Sequence, residues 1–407
     1  MNFGGVMRDL KRGTVRDLRR DNRAAVLWAL YLSQRGSRQD LGAATGLSAA
    51  SVTNVIRELL DEGVAIETGL AESDGGRPRV LLGMNPGYGY VIGVDVGETR
   101  TRVELFDLTM AERAKAEYQL DPYQHDVDVV VEQILSGFDA VLAGSGVDPA
   151  AVLGVGIGVP GIIEQAPEVL VHGQTYGWDA VPLGRLLRAR RLPDPRWPLH
   201  FDNGAKTMGQ AELWFGAGRG ARSAVVILIG SGVGASLISG GTTYRGATSS
   251  AAEFGHITIM TGGRTCRCGS AGCLEAYAGA EAILERYGRP MAAADQEAAL
   301  AELIDAAGTS PFAATILAET SQYLGAGIGS LINLFNPERV IVGGWAGLLL
   351  SEPLFPAIQE AARQHSLHHP FAATSIELGK LGPWAVALGA ATLPMESFLN
   401  GAAERQP

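Results

Sequence analysis

The chain has 407 residues, enough for two or three domains with sizeable cores, and 46% of them are apolar. No run approaches the roughly 18 apolar residues that a bilayer span needs, and the N-terminus has no apolar signal core, so a cytoplasmic protein without membrane segments is expected. The net charge of −10 alone argues against nucleic acid, but residues 1–85 carry 12 Lys+Arg against 10 Asp+Glu. Seven cations (Arg8, Lys11, Arg12, Arg16, Arg19, Arg20 and Arg23) stand in residues 1–23 against Asp9, Asp17 and Asp21. A basic end on an acidic body suits a chain that touches phosphates at that end, although charged tails are commonly just solvated.

Residues 23–34 read as a helix with Val26, Leu27, Leu30 and Tyr31 on one face. Ser37 caps a second helix, with Asp40 in capping-box position, that carries Leu41 and Ala44 and ends at Gly46. Ser48 caps a third, whose apolar positions are Val52, Val55, Ile56, Leu59 and Leu60. Two short helices joined by a Gly-Leu-Ser turn are a helix-turn-helix. Its last helix would enter a DNA major groove and present Ser48, Ser51, Thr53, Asn54 and Arg57 to bases and phosphates. Val64–Ile66 and Arg79–Leu82 pair as a hairpin, a wing that carries Arg77 and Arg79 to the backbone or minor groove. The alternative is a helical module for protein contacts. Asn85-Pro-Gly-Tyr-Gly reads as the linker that follows.

Beyond it, Tyr90–Asp95 is a strand, Gly97–Arg100 a turn and Thr101–Asp107 a returning strand. Such a turn, with its Asp and Gly, is a candidate phosphate loop. A helix near 126–143, a strand at 152–158 and a strand end at Leu199–Asp202 follow, the last running into a helix over 205–214. A carboxylate at a strand's C-terminal end, such as Asp202, lies where open α/β sheets bind ligands. Strand 224–229 leads into a second glycine-rich turn, Gly230-Ser-Gly-Val-Gly234. Helix 311–334, strand 339–342 and a terminal helix near 383–398 complete a two-lobed α/β pattern.

All three cysteines fall in Cys266-Arg-Cys268-Gly-Ser-Ala-Gly-Cys273, ten residues after His256. Three thiolates and an imidazole make a closed tetrahedral Zn²⁺ site, a structural one with no open position for water. A Cys266–Cys268 disulfide would be strained and would leave one thiol over. Buried free thiols beside an unrelated His are the other reading.

Glu253-Phe-Gly255-His256 after a Gly-Ala run, and Cys266-x-Cys268-Gly-x-x-Gly-Cys273-Leu-Glu275, resemble the two signatures of the ROK family (repressors, open reading frames and kinases). The resemblance runs from the winged helix nearly to the C-terminus. It implies a winged helix-turn-helix over 1–84, then an actin-like, ribonuclease H-like ATPase fold with one lobe over 85–204 and a second over 205–407. The terminal helix is expected to pack back on the first lobe. It further implies a sugar in the cleft, bound by Asp202, Glu253, His256 and Glu275, and zinc on His256, Cys266, Cys268 and Cys273.

Family kinases use the equivalent of Asp202 as general base. Here the first loop reads Asp95-Val-Gly97-Glu98-Thr99-Arg100, with Glu98 where kinases carry glycine. An inward Glu98 would repel a phosphate by about 4 kcal/mol for unit charges 4 Å apart at an effective dielectric near 20. Phe201 and Gly204 replace two asparagines of the sugar motif, and a third is missing around Gln174–Trp178. The resulting expectation is a non-enzymatic regulator, a repressor of carbohydrate metabolism. It would act as a homodimer or homotetramer on a palindromic double-stranded operator, released by a sugar or sugar-derived effector. A bifunctional ATP-dependent sugar kinase is the alternative, and a regulator whose input is a protein partner or DNA occupancy alone is a third.

Overall fold

The computed structural model describes residues 14–71, 78–121, 126–165, 168–288 and 295–401. Thr14 caps helix α1 (Val15–Ser33) in a capping box with Asp17. The helix thus begins well before the expected Arg23, because its first two turns are too polar to show apolar periodicity. Arg16, Arg19 and Arg20 stand exposed on this helix rather than on a free arm. Arg23 pairs bidentately with Glu62 at 2.5 and 3.1 Å. Arg8, Lys11, Arg12 and the wing-tip Arg77 lie outside the described residues.

Helix α2 (Arg38–Thr45) starts in the expected Ser37–Asp40 capping box and ends at a left-handed Gly46. Helix α3 (Ala49–Asp61) is capped by Ser48 and buries Val52, Val55, Ile56 and Leu59. Strands β1 (Ala65–Ala71) and β2 (Arg79–Met84) pair antiparallel, and Gly36 bridges to Leu82 at the edge. The winged helix is present as read, but its linker is not a tether. Asn85 donates to the Gly63 carbonyl at 2.7 Å and accepts from the Gly87 amide at 3.0 Å, which pins the turn. The apolar cluster of Leu27, Leu30, Leu59 and Leu82 continues unbroken into Phe106, Leu153, Met395 and Phe398 of the body.

The first lobe holds β3 (Tyr90–Val96), β4 (Arg100–Asp107), β5 (Glu112–Gln119), α4 (Val127–Ser145) and β6 (Val152–Val159). A small sheet of β7 (Ile162–Glu164), β8 (Leu170–Gly173) and β9 (Trp178–Val181) follows, then α5 (Leu183–Ala189) and β10 (Leu199–Asn203). Helix α6 (Gly204–Phe215) leads to the second lobe: β11 (Ser223–Ile229), β12 (Val233–Ser239) and β13 (Thr242–Tyr244). After the cysteine loop come α7 (Glu275–Ala278), α8 (Ala280–Arg286), α9 (Gln296–Ala306) and α10 (Pro311–Phe335). The chain ends with β14 (Arg339–Gly343), α11 (Trp345–Gln364), α12 (His368–Ala373), β15 (Ser375–Leu378) and α13 (Ala385–Leu399).

The main sheets run β10-β6-β3-β4-β5 and β13-β12-β11-β14-β15. Each is an antiparallel three-strand meander extended by two parallel strands, so the two lobes repeat one topology. The two glycine-rich turns occupy equivalent places, after the first strand of each meander. Helix α13 packs against β3 and β6 of the first lobe. A Cβ at Gly93 would lie 1.9 Å from the Ala387 carbonyl oxygen and one at Gly156 1.8 Å from that of Ala390, so only glycine admits this approach. Among the described residues no helix is long and apolar enough to cross a membrane.

Candidate functional site

A cavity of about 490 Å³ separates the lobes, lined by both glycine-rich turns and by Asp95, Glu98, Glu253, His256, Arg267 and Glu275. Asp202 stands near the end of β10, buried to 2% exposure; its neighbours Asn203 and Gly204 line the cavity, whereas Asp202 itself lies behind the lining. Arg245, from the loop after β13 of the other lobe, pairs with its Oδ2. Asn203, which sequence reasoning passed over, accepts from the Ala205 amide at 2.9 Å and donates to the Gly161 carbonyl at 2.8 Å. It caps α6 and ties that helix to the loop after β6, one residue away from the asparagine that Gly204 replaces. Lys206, in the same turn, donates to the Ser249 carbonyl, and burial lowers its pKa against the pull of Asp202 and Glu253.

Glu253 opens a turn of 3₁₀ helix and faces the cleft, where the enclosing walls push its pKa up. Glu275 begins α7 and is 6% exposed. Burial opposes its charge, but Arg267 and the Val233 amide, at 2.9 Å from its two oxygens, hold its pKa below the ordinary carboxylate value. Asp95 at the end of β3 is pushed up to about 6 by burial, with Arg102 4.0 Å away. Tyr176 donates to the Gly97 carbonyl at 2.7 Å, so the segment that lacks the expected asparagine instead braces the first loop.

His256, Cys266, Cys268 and Cys273 come together, with every donor atom within 4.8 Å of the others. His256 Nδ1 lies 3.7 Å from Cys266 Sγ, and Cys268 Sγ lies 3.8 Å from Cys273 Sγ. Tetrahedral Zn–S bonds of about 2.3 Å place two sulfurs about 3.8 Å apart, so the donor set fits that ion. Burial pushes the Cys266 thiol up to about 12, a penalty that an ion at the centre would reverse. Nδ1 of His256 faces the sulfurs, and the same residue lines the cleft.

In the winged helix, Ser48, Thr53, Asn54 and Arg57 are exposed along α3, and Arg57 donates to Asn54 at 2.9 Å. Ser51 is half-buried and its amide and hydroxyl are engaged by Ser48. Arg79 turns back to α2, 3.2 Å from Gln39 and 3.7 Å from Asp40, rather than standing free on the wing. Arg245 and Arg267 escaped the sequence reading. Arg245 sits in a loop with no signal, whereas Arg267, a lone cation between two clustered cysteines amid carboxylates, carried one.

Two lobes of one topology around a carboxylate-lined cleft define an actin-like, sugar-kinase-type body, here joined to a winged helix. Residues 91–396 match the ROK family, and the chain belongs to it. It is 29% identical to a xylose repressor of Caldicellulosiruptor bescii over 395 residues, 94% of this chain and 97% of that protein. It is 31% identical to a glucokinase of Halalkalibacterium halodurans over 283 residues, 65% of this chain and 84% of that one. A solved ROK family transcriptional regulator, a homologue of the E. coli Mlc protein, matches with a TM-score of 0.76 at 25% identity, over 94% of this chain and 97% of that one.

Proposed function

We propose that this chain is a cytoplasmic DNA-binding transcriptional repressor whose grip on a palindromic operator is set by a sugar held in the interlobe cleft. The observation that carries the reading is α6. Its N-terminus is fixed by Asn203, which lines the cleft next to the buried Asp202, and its last turn places Trp214 against Trp28 and Tyr31 of the winged helix. Helix α13 lies beside α6 and joins the same apolar cluster through Met395 and Phe398.

Asp202, Glu253, His256 and Glu275 are the groups that accept sugar hydroxyls. Fixed carboxylates discriminate because an unmatched buried polar group is costly. Sugar binding requires Arg245 to yield an oxygen of Asp202 and closes the lobes on each other. Helix α6 is displaced with its first turn and tilts the winged helix through Trp214. In a homodimer, recognition helices matched to half-sites about 34 Å apart then lose register. Ser48, Thr53, Asn54 and Arg57 are the base-facing set on α3. Ser51 completes the helix cap, and Arg79 begins the second strand of the wing.

The metal is a structural Zn²⁺ on His256, Cys266, Cys268 and Cys273, which supplies a cross-link and no reacting water. By fixing the imidazole it aims the free nitrogen of His256 into the cleft. A sugar kinase with an attached regulator is the second reading. It is favoured by the retention of Asp202 and of the second glycine-rich loop, and it predicts ATP turnover that Asp202→Asn abolishes. Against it, Asp202 already accepts from Arg245, and Glu98 enters the loop that would hold phosphate. The test of the repressor reading is Glu253→Ala, which should still bind operator but lose its response to sugar. A full response in this variant would remove the mechanism.

A further inference from the structure

The two glycine-rich turns face each other across the cleft with an ion pair between them. Arg267 Nη1 and Nη2 donate to the two carboxylate oxygens of Glu98, on the first loop, at 2.5 and 2.9 Å. The same guanidinium donates through Nε to Glu275 at 2.9 Å and through Nη1 to Glu281 of α8 at 3.0 Å. It also packs closely against the second loop. A Cβ on Gly232 would fall 2.1 Å from Arg267 Nη2 and 2.4 Å from Glu275 Oε2. Glu98 and Arg267 are only 17% and 24% exposed. Arg267 is also held at both backbone ends, between Cys266 and Cys268 of the metal cluster.

We infer that the Glu98–Arg267 pair is an interlobe latch occupying the place between the loops that phosphate would otherwise take, and that it makes the cleft selective for uncharged sugars. The bidentate fork that Arg267 offers Glu98 is the geometry by which arginine grips phosphate, so the carboxylate of Glu98 is a tethered substitute for that anion. Three carboxylates converge on one guanidinium, which leaves the spot negative even when the latch is closed. A nucleotide or a sugar phosphate meets that negative field and a blocked guanidinium, whereas a neutral sugar meets only acceptors for its hydroxyls.

The latch also bears on how an effector acts, and that part rests on the repressor reading above. Arg267 is shared between Glu98 in one lobe and Glu275, a sugar-facing group, in the other. A hydroxyl that takes an oxygen of Glu275 changes what Arg267 shares with Glu98, so occupancy of the sugar site and the grip between the lobes are linked through one side chain. Glu98 is thus a specificity-determining residue and Arg267 a positioning residue.

The test needs neither sugar nor DNA, so its outcome is separable from that of the repressor reading. Magnesium pyrophosphate is titrated calorimetrically into the full-length wild type, Glu98→Gly and the near-isosteric Glu98→Gln. No binding to wild type is expected, with at least a tenfold gain for Glu98→Gly and a smaller gain for Glu98→Gln. Because the readout is a gain, misfolding cannot imitate it. Hydrogen exchange of amides 97–100 and 230–234 reads the latch itself and should quicken in both variants. Pyrophosphate bound equally by all three proteins overturns the blocking role, and exchange unchanged at both loops overturns the latch.

Discussion

Trp214 and Trp28 meet edge-on, with ring centroids 5.3 Å apart and planes at 78°. Trp28 is fixed further by its indole N–H, which donates to Asn400 just beyond α13 at 2.9 Å. Trp214 ends the helix that Asn203 begins, and a 12-residue helix spans about 18 Å. On the proposed mechanism, a small rotation at the cleft would reach the winged helix through this helix rather than through a flexible linker.

That path is testable by a double-mutant cycle on Trp28→Ala and Trp214→Ala. The two substitutions should couple by about 1 kcal/mol in chemical denaturation, the usual worth of an aromatic pair beyond its buried area. Trp214→Ala should bind sugar with unchanged affinity in calorimetry but release operator much less completely. Strictly additive stabilities together with normal release would show that the signal travels elsewhere.

On α3, Asn54→Ala and Arg57→Ala should each weaken binding to the specific operator by roughly 1–3 kcal/mol. Both side chains are exposed, so thermal melting should not move. Fluorescence anisotropy at fixed salt reads the effect, since phosphate contacts make affinity steeply salt-dependent. Wild-type operator affinity in both variants would place the recognition surface on another face.

Metal analysis should find one zinc per chain, lost in Cys268→Ser. Because the cysteine loop carries Arg267 and precedes Glu275, loss of the metal should lower the melting temperature and weaken sugar binding. A metal-free chain that melts and binds sugar as before would leave the cysteine cluster without a structural role.

Glu104 on β4 is 3% exposed among Asp95, Arg102, Glu112 and Lys115, and burial pushes its pKa up to about 8 from an ordinary 4.5. Between those values the unfolded chain has released the proton that the folded chain still holds, so this contribution to stability falls as pH rises and is lost above about 8. Glu104→Gln should therefore gain on wild type in melting temperature from pH 5 to pH 8.5. A difference constant across that range would contradict the protonated burial.

The local rules were legible in the chain. Ser37 with Asp40 and Ser48 announced two helix starts, and the spacing of Cys266, Cys268, Cys273 and His256 announced that these four side chains come together. The glycine turns at 97 and 230 were legible as a pair in separate halves, and the repeated sheet order gives them equivalent places. The long-range partners were not legible. Glu98 meets Arg267 across 169 residues, Asp202 meets Arg245 from the opposite lobe, and Trp28 meets Asn400 across 372 residues. Such pairs depend on how the lobes close, which no local periodicity encodes. The first turns of α1 were missed for the opposite reason: they are helical by capping and charge, with little apolar face to read.

The most direct measurement is operator binding by the purified full-length chain, at fixed salt, with neutral pentoses and hexoses and their phosphates added one at a time. The account predicts that at least one neutral sugar releases the DNA at a concentration where its phosphate does not. Operator binding that no sugar alters, or release by sugar phosphates alone, would contradict it.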